Sequence, residues 1–245
     1  MSTYNIDKAS GILRESTYIN NNVQNAYLAI LKNVYLWMTL ALGISGLTAI
    51  GVANSHQLLE LLYSNSIVLF IIFLAQLGLI WFISAKINSI SINTATALFI
   101  AYSILTGVTL ASIFIVFTQE SIANVFFISA GTFAGISIYG YTTKRDLSNW
   151  SAYLIMALFG LIIASVVNWF MHSEILYWII SYVGVLVFVG LTAYDTQKIK
   201  QLALLSRDQD GDIPQKKIAL IGALTLYLDF INLFIYLLRI FGKRK

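Results

Sequence analysis

The sequence predicts an all-α polytopic membrane protein with seven transmembrane helices, and three observations predict it. Only 11% of its 245 residues are charged and 58% are apolar, whereas a soluble domain carries roughly 25% charge. Such a chain lacks the polar groups to cover its own surface in water, and its mean hydropathy is +0.79. Apolar stretches of about 20 residues, the length a helix needs to cross ~30 Å of hydrocarbon, recur seven times. Helices are expected because an open sheet cannot satisfy its backbone in lipid.

The elements follow in order. Residues 1–33 form a polar head containing Asn20, Asn21 and Asn22. It has no early apolar core and no small-residue cleavage site, so it reads as a partly disordered cytoplasmic tail rather than a signal peptide. The spans lie at about 34–53, 66–85, 94–117, 125–141, 151–171, 175–196 and 217–240, within one membrane domain covering 34–241. Pro214 falls in the loop before the seventh span, and a basic tail, 242–245, closes the chain. Trp37, Trp81, Trp150, Trp169 and Trp178 all lie toward span ends, where amphipathic rings settle at the interface. Gly131 and Gly135 form a GxxxG pair on the fourth span, a spacing that lets helices approach closely.

Charge sets the direction. The head holds Lys8, Arg14 and Lys32, the second loop Lys86, the fourth Lys144 and Arg145, and the sixth Lys198, Lys200, Arg207, Lys216 and Lys217. Eleven basic residues stand in these segments against none in the first, third and fifth loops, which puts the N-terminus inside a plasma membrane. The net charge of +4 is thereby explained by topology, without a nucleic-acid partner. Arg239, Lys243, Arg244 and Lys245 then fall on the outer face. Two readings stay open: a full seventh crossing with a basic outer tail, favoured by span length, or a re-entrant last segment.

Chemistry is sparse. There is no cysteine and there are only two histidines, His56 and His172, so thiolate metal sites, thiol nucleophiles and histidine zinc sites are unexpected. No nucleotide-binding glycine loop occurs, and no nucleophile, base and oxyanion-donor set can be assembled. The last span holds no lysine for a Schiff base between Ile218 and Leu238. Neither enzyme nor bound cofactor is expected.

Two charges stand where charge is costly. A carboxylate near the bilayer centre costs about 2.5–3.5 kcal/mol on insertion scales. Asp229, in LYLDFINLF (226–234), lies ~18 Å from either end of its span. Asp195, in GLTAYDTQKIK (190–200), lies toward the inner end of the sixth. The antiparallel hairpin of spans six and seven brings the two within about 3 Å in depth on the helical rise. Facing carboxyls cannot both ionise cheaply, so they share a proton; ionised, they offer hard oxygen ligands suited to calcium. The plainer readings are that Asp195 snorkels beside Lys198, and that Asp229 makes a packing hydrogen bond to Tyr227, Asn232 or another span. Gln76, Asn168 and Asn232 are candidates to line a path, with interhelical bonding the commoner use of such residues. DQDGD (208–212) is similar to the start of an EF-hand, but Ile213 and Ala219 replace its glycine and bidentate glutamate, so it reads as a solvated acidic loop.

GYTTKRDLS (140–148), GLTAYDTQKIK (190–200) and LYLDFINLF (226–234) closely resemble, in order and spacing, signature segments of bacterial members of the Bax inhibitor-1 family. The resemblance runs from the first span to the last and leaves only the head outside. It implies six helices packed around a central C-terminal seventh and a pH-regulated calcium leak sensed by an aspartate pair, which matches Asp195 and Asp229. In a bacterial branch of the family a basic residue at the inner end of the second helix latches that pair; Lys86 is its candidate here. Many relatives carry a glutamate where this sequence has Gln76. The expected partners are the bilayer, calcium and protons. The alternative implied is a non-transporting regulator of a membrane-embedded protease, engaged through the N-terminal tail.

Overall fold

The computed structural model describes residues 2–205 and 212–245, so most of the DQDGD stretch lies outside the described residues. Eight α-helices follow in order: α1 Ser2–Ala53, α2 His56–Tyr63, α3 Ser66–Lys86, α4 Ile92–Val116, α5 Gln119–Thr142, α6 Ser151–Met171, α7 Glu174–Leu205 and α8 Asp212–Phe241. Seven of them hold stretches long and apolar enough to cross a membrane, the exception being the eight-residue α2. Among the described residues the only pairing of extended backbone is the bridge between Phe117 and Arg244.

The helices start where short polar side chains can satisfy free N–H groups. Ser55 accepts from Leu58 N, Asn65 from Ile67 N, Ser91 from Thr94 N and Thr118 from Ser121 N, opening α2 to α5. Ser173 accepts from Leu176 N at the start of α7. Pro214 falls in the first turn of α8, where its missing N–H costs nothing; that helix begins at Asp212, before the span read from sequence. At the other end of the chain α1 begins at Ser2. The head read as partly disordered thus continues the first helix, with no proline and one glycine, Gly11, to interrupt it.

Burial is inverted relative to a soluble bundle. Phe70, Ile71 and Phe73 of α3 and Phe159, Ile162 and Ile163 of α6 point outward, while Ser45, Ser103, Thr192, Thr196 and Asp229 are buried. An apolar exterior around a partly polar interior suits lipid as the surrounding solvent. The most enclosed span is α8, with 67% of its apolar window buried against 39% or less in the others. It packs on α1, α4, α5 and α7, while α3 sits chiefly on α4 and α6 chiefly on α7.

Alternation of the spans gives the bundle two ends. The basic-loop end carries the α3–α4, α5–α6 and α7–α8 junctions. The C-terminal end carries the α4–α5 and α6–α7 junctions together with the tail. There Thr118 N donates to Lys243 O and Lys245 N to Val116 O, each at 3.0 Å. α8 is one unbroken helix that finishes against the α4–α5 junction, so it runs from one end of the bundle to the other, as a full crossing requires.

The GxxxG expectation is corrected within the chain. Gly131 and Gly135 face open space, and a Cβ on either would meet nothing within 4 Å. Close approach occurs elsewhere: a Cβ on Gly107 would come within 2.6 Å of Ser45 O, and one on Gly140 would strike the Ala193 backbone. Spacing reports that residues are small, not which face of the helix has a partner.

Candidate functional site: a carboxyl pair between the last two helices

α7 and α8 pack as the hairpin the sequence implies, and it brings the carboxyls of Asp195 and Asp229 close enough to act on each other. Their surroundings differ. Asp229 is 5% exposed, and its Oδ2 has no hydrogen-bond partner. Asp195 is half-buried and lines a cavity of about 500 Å³ at the basic-loop end, together with Asn88, Lys198, Pro214 and Lys217. One carboxyl therefore meets the cavity and the other lies behind it. The charge acting on Asp195 from its own helix is Lys198, one turn on, and no lysine or arginine among the described residues closes an ion pair with either carboxyl. Three buried side-chain oxygens among the described residues lack partners, and two of them, Asp229 Oδ2 and Thr196 Oγ1, belong to this hairpin. An unpaired acceptor in so dry a place is costly.

The opposite face of α8 is fully bonded. Tyr227 Oη lies 2.6 Å from Ser45 Oγ, which donates to Ser103 O at 2.7 Å; with the serine proton so used, the tyrosine is the donor. The Tyr227 ring also meets Phe99 and Tyr102 edge to face, centroids 5.8 and 6.0 Å apart. Tyr227 is thus committed to α1 and is not the partner of Asp229. Asn232 likewise turns back along α8, donating to Leu228 O at 2.8 Å. α8 is thus anchored on its α1–α4 side and presents Asp229 to α7.

The remaining candidates lie apart from the pair. Lys86 ends α3 with an exposed side chain and makes no bond to either carboxyl; the cross-contact at that level is Lys217 Nζ to Asn88 O, 3.0 Å. Gln76 donates to Thr106 Oγ1 and Thr109 Oγ1, tying α3 to α4. Asn168 caps the α6–α7 turn by accepting from Ser173 N at 3.0 Å. No group of three His, Cys, Asp or Glu able to hold a metal occurs among the described residues. Calcium takes six to eight oxygens, and the two carboxyls together offer at most four.

Two positioning residues escaped the sequence reading. Gln197 clasps the α5–α6 connection with both ends of its amide, donating to Arg145 O and accepting from Leu147 N, each at 2.8 Å. Lys200 donates to Tyr141 O at 2.8 Å and lies 5.0 Å over that residue's ring. DTQKIK thus sends Asp195 toward α8, and Gln197 and Lys200 toward the α5–α6 turn, which fixes the rotation of α7 about its axis. A glutamine and a lysine beside a basic loop look solvated, and nothing local in the sequence marks these bonds.

Comparison with known proteins agrees with the segments that join in this site. The sequence model of a protein family described as "Inhibitor of apoptosis-promoting Bax1" matches residues 27–245. The chain is 50% identical over 217 residues to the inner membrane protein YbhL of Escherichia coli K12, covering 88% of this chain and 92% of that protein. An uncharacterized protein of Borreliella burgdorferi is 48% identical over 223 residues, 91% of this chain and 94% of its own. Protein RP147 of Rickettsia prowazekii is 38% identical over 231 residues, 94% and 96%. With seven helices able to cross a membrane and a family match that leaves out only the first 26 residues, the chain is a multi-pass membrane protein belonging to the Bax inhibitor-1 family.

Proposed function

We propose that this protein is a proton-regulated cation leak of the bacterial inner membrane, with calcium as its cargo and the N-terminus in the cytoplasm. The single observation that carries the reading is the placement of Asp229, a buried carboxyl with an unbonded oxygen, beside Asp195, which lines a cavity. With one proton between them, the carboxyls bind α7 to α8. With none, two like charges repel at the same contact. A helix contact with two bonding states, biased by one proton, is a sufficient switch. The ionised pair also supplies the hard oxygens that a divalent cation prefers. The eleven basic residues gathered at the head and the basic-loop end orient the cavity toward the cytoplasm.

The test is calcium flux into proteoliposomes containing the full chain, measured over roughly pH 6 to 8. The parent should show a pH-dependent rate, and Asp195→Asn and Asp229→Asn should flatten that dependence. Identical pH profiles in all three chains would refute the reading. The alternative, a non-transporting regulator of a membrane-embedded protease, gains support from the helical extension of α1 beyond its span, which offers a partner a long rod to grip. It predicts no flux above empty vesicles at any pH.

A further inference from the structure

The C-terminal end holds a second polar cavity, of about 570 Å³, walled by Arg239, Arg244, Glu174, Asn168, Ser173 and Tyr177. Its two guanidiniums share one aromatic ring. Arg239 lies 5.6 Å from the Tyr177 centroid and 5.2 Å from that of Tyr236. Arg244 lies 5.6 Å from the Tyr177 centroid and donates to Tyr177 Oη at 3.2 Å. Cation–π attraction holds both side chains, but it leaves their in-plane N–H donors largely unused. Arg239 makes no hydrogen bond and no ion pair among the described residues, although it is only half-exposed. Glu174 is on the rim and pairs with neither arginine.

These donors are preorganised. Arg244 is fixed by the bridge to Phe117 and by the bonds of its neighbours, Lys243 N to Ser121 Oγ at 2.8 Å and Lys245 N to Val116 O at 3.0 Å. Arg239 is fixed by the rigid end of α8. The first turn of α7 opens beside the same space, so the positive end of its dipole adds to the field. Trp178, another wall residue, and Trp169 lie at this end of the bundle, the level at which lipid headgroups sit.

We propose that this cavity binds a phosphate group, with Arg239 and Arg244 as its ligands. Paired guanidiniums match phosphate oxygens with parallel, charge-assisted hydrogen bonds, and the ligand is either the headgroup of an anionic phospholipid or a free phosphate anion. The site is separate from the carboxyl pair and does not depend on ion conduction.

The experiment is thermal unfolding of the full-length protein in a neutral maltoside detergent, titrated with phosphatidylglycerol, phosphatidylcholine or inorganic phosphate. Binding to the folded state raises the midpoint by mass action. The parent midpoint should rise saturably. Arg239→Gln and Arg244→Gln should each need about tenfold more ligand, and Lys144→Gln, at the basic-loop end, should titrate like the parent. A rise with phosphatidylglycerol alone assigns the lipid headgroup; an equal rise with inorganic phosphate assigns the free anion. Arg244 is exposed on the terminal segment, so its variant carries the test if Arg239→Gln does not fold. The proposal is overturned if no probe raises the parent midpoint, if both arginine variants titrate like the parent, or if Lys144→Gln weakens binding as much as they do.

Discussion

Asp229→Asn should unfold at a temperature that does not vary with pH, where the parent loses stability as pH rises. The amide of asparagine is shaped like a protonated carboxyl and offers N–H donors to Asp195 at every pH, so the variant holds the α7–α8 contact permanently in its bonded form. In the parent the same bond needs the shared proton. Once that proton leaves, two unit charges about 4 Å apart repel by roughly 4 kcal/mol at an effective dielectric constant near 20. No cation pairs with either carboxyl to offset the repulsion, because Lys198 acts on Asp195 from the cavity side without closing an ion pair. The direction follows: stability is full while the proton is held and falls as pH carries it away. Thermal unfolding in detergent across that range should show the parent losing about 2–4 kcal/mol relative to Asp229→Asn. Parallel curves for the two chains would mean that the carboxyls do not exchange a proton in the folded state.

Gly140→Ala should be destabilising, although alanine is the better helix former. Gly140 is buried on α5 at the point where that helix crosses α7, and a Cβ there would strike the Ala193 backbone. Backbone cannot swing aside as a flexible side chain can, so the two helices must separate. Overpacking of this kind costs about 1–3 kcal/mol, against a propensity gain of up to about 1 kcal/mol. Gly135→Ala, five residues earlier and facing open space, has the gain without the clash and should be neutral or slightly stabilising. The unfolding midpoints of the two variants measure the difference directly. Ala193 also lies two residues before Asp195, so Gly140→Ala should shift the pH dependence of calcium flux, whereas Gly135→Ala should leave it unchanged.

The parts of this molecule that could be read in advance are those that depend on one physical quantity. Span number followed from counting apolar residues against the thickness of the bilayer. The meeting of Asp195 and Asp229 followed from the cost of charge at depth, together with the rise per residue in a helical hairpin. What escaped is set by contacts distant in sequence. Ser45 and Tyr227 are 182 positions apart, and no local pattern says that one anchors the other. Gln197 looks like a solvated residue of a basic stretch until the α5–α6 turn is found against it. α2 is too short to announce itself between two spans. The GxxxG pair misled for a related reason, since close packing needs a partner as well as a small residue, and the partner of α5 meets it at Gly140.

The most direct test is the infrared carboxyl stretch of the full chain in lipid, recorded as pH is raised in the parent, Asp195→Asn and Asp229→Asn. A protonated carboxylic acid absorbs apart from ionised carboxylates, and a hydrogen-bonded pair sharing a proton gives one such band per molecule. The account predicts that the band is present in the parent near neutral pH, vanishes as pH rises, and is absent from Asp229→Asn under the conditions where the parent shows it. A parent without the band at neutral pH, or a band that survives in Asp229→Asn, would contradict it.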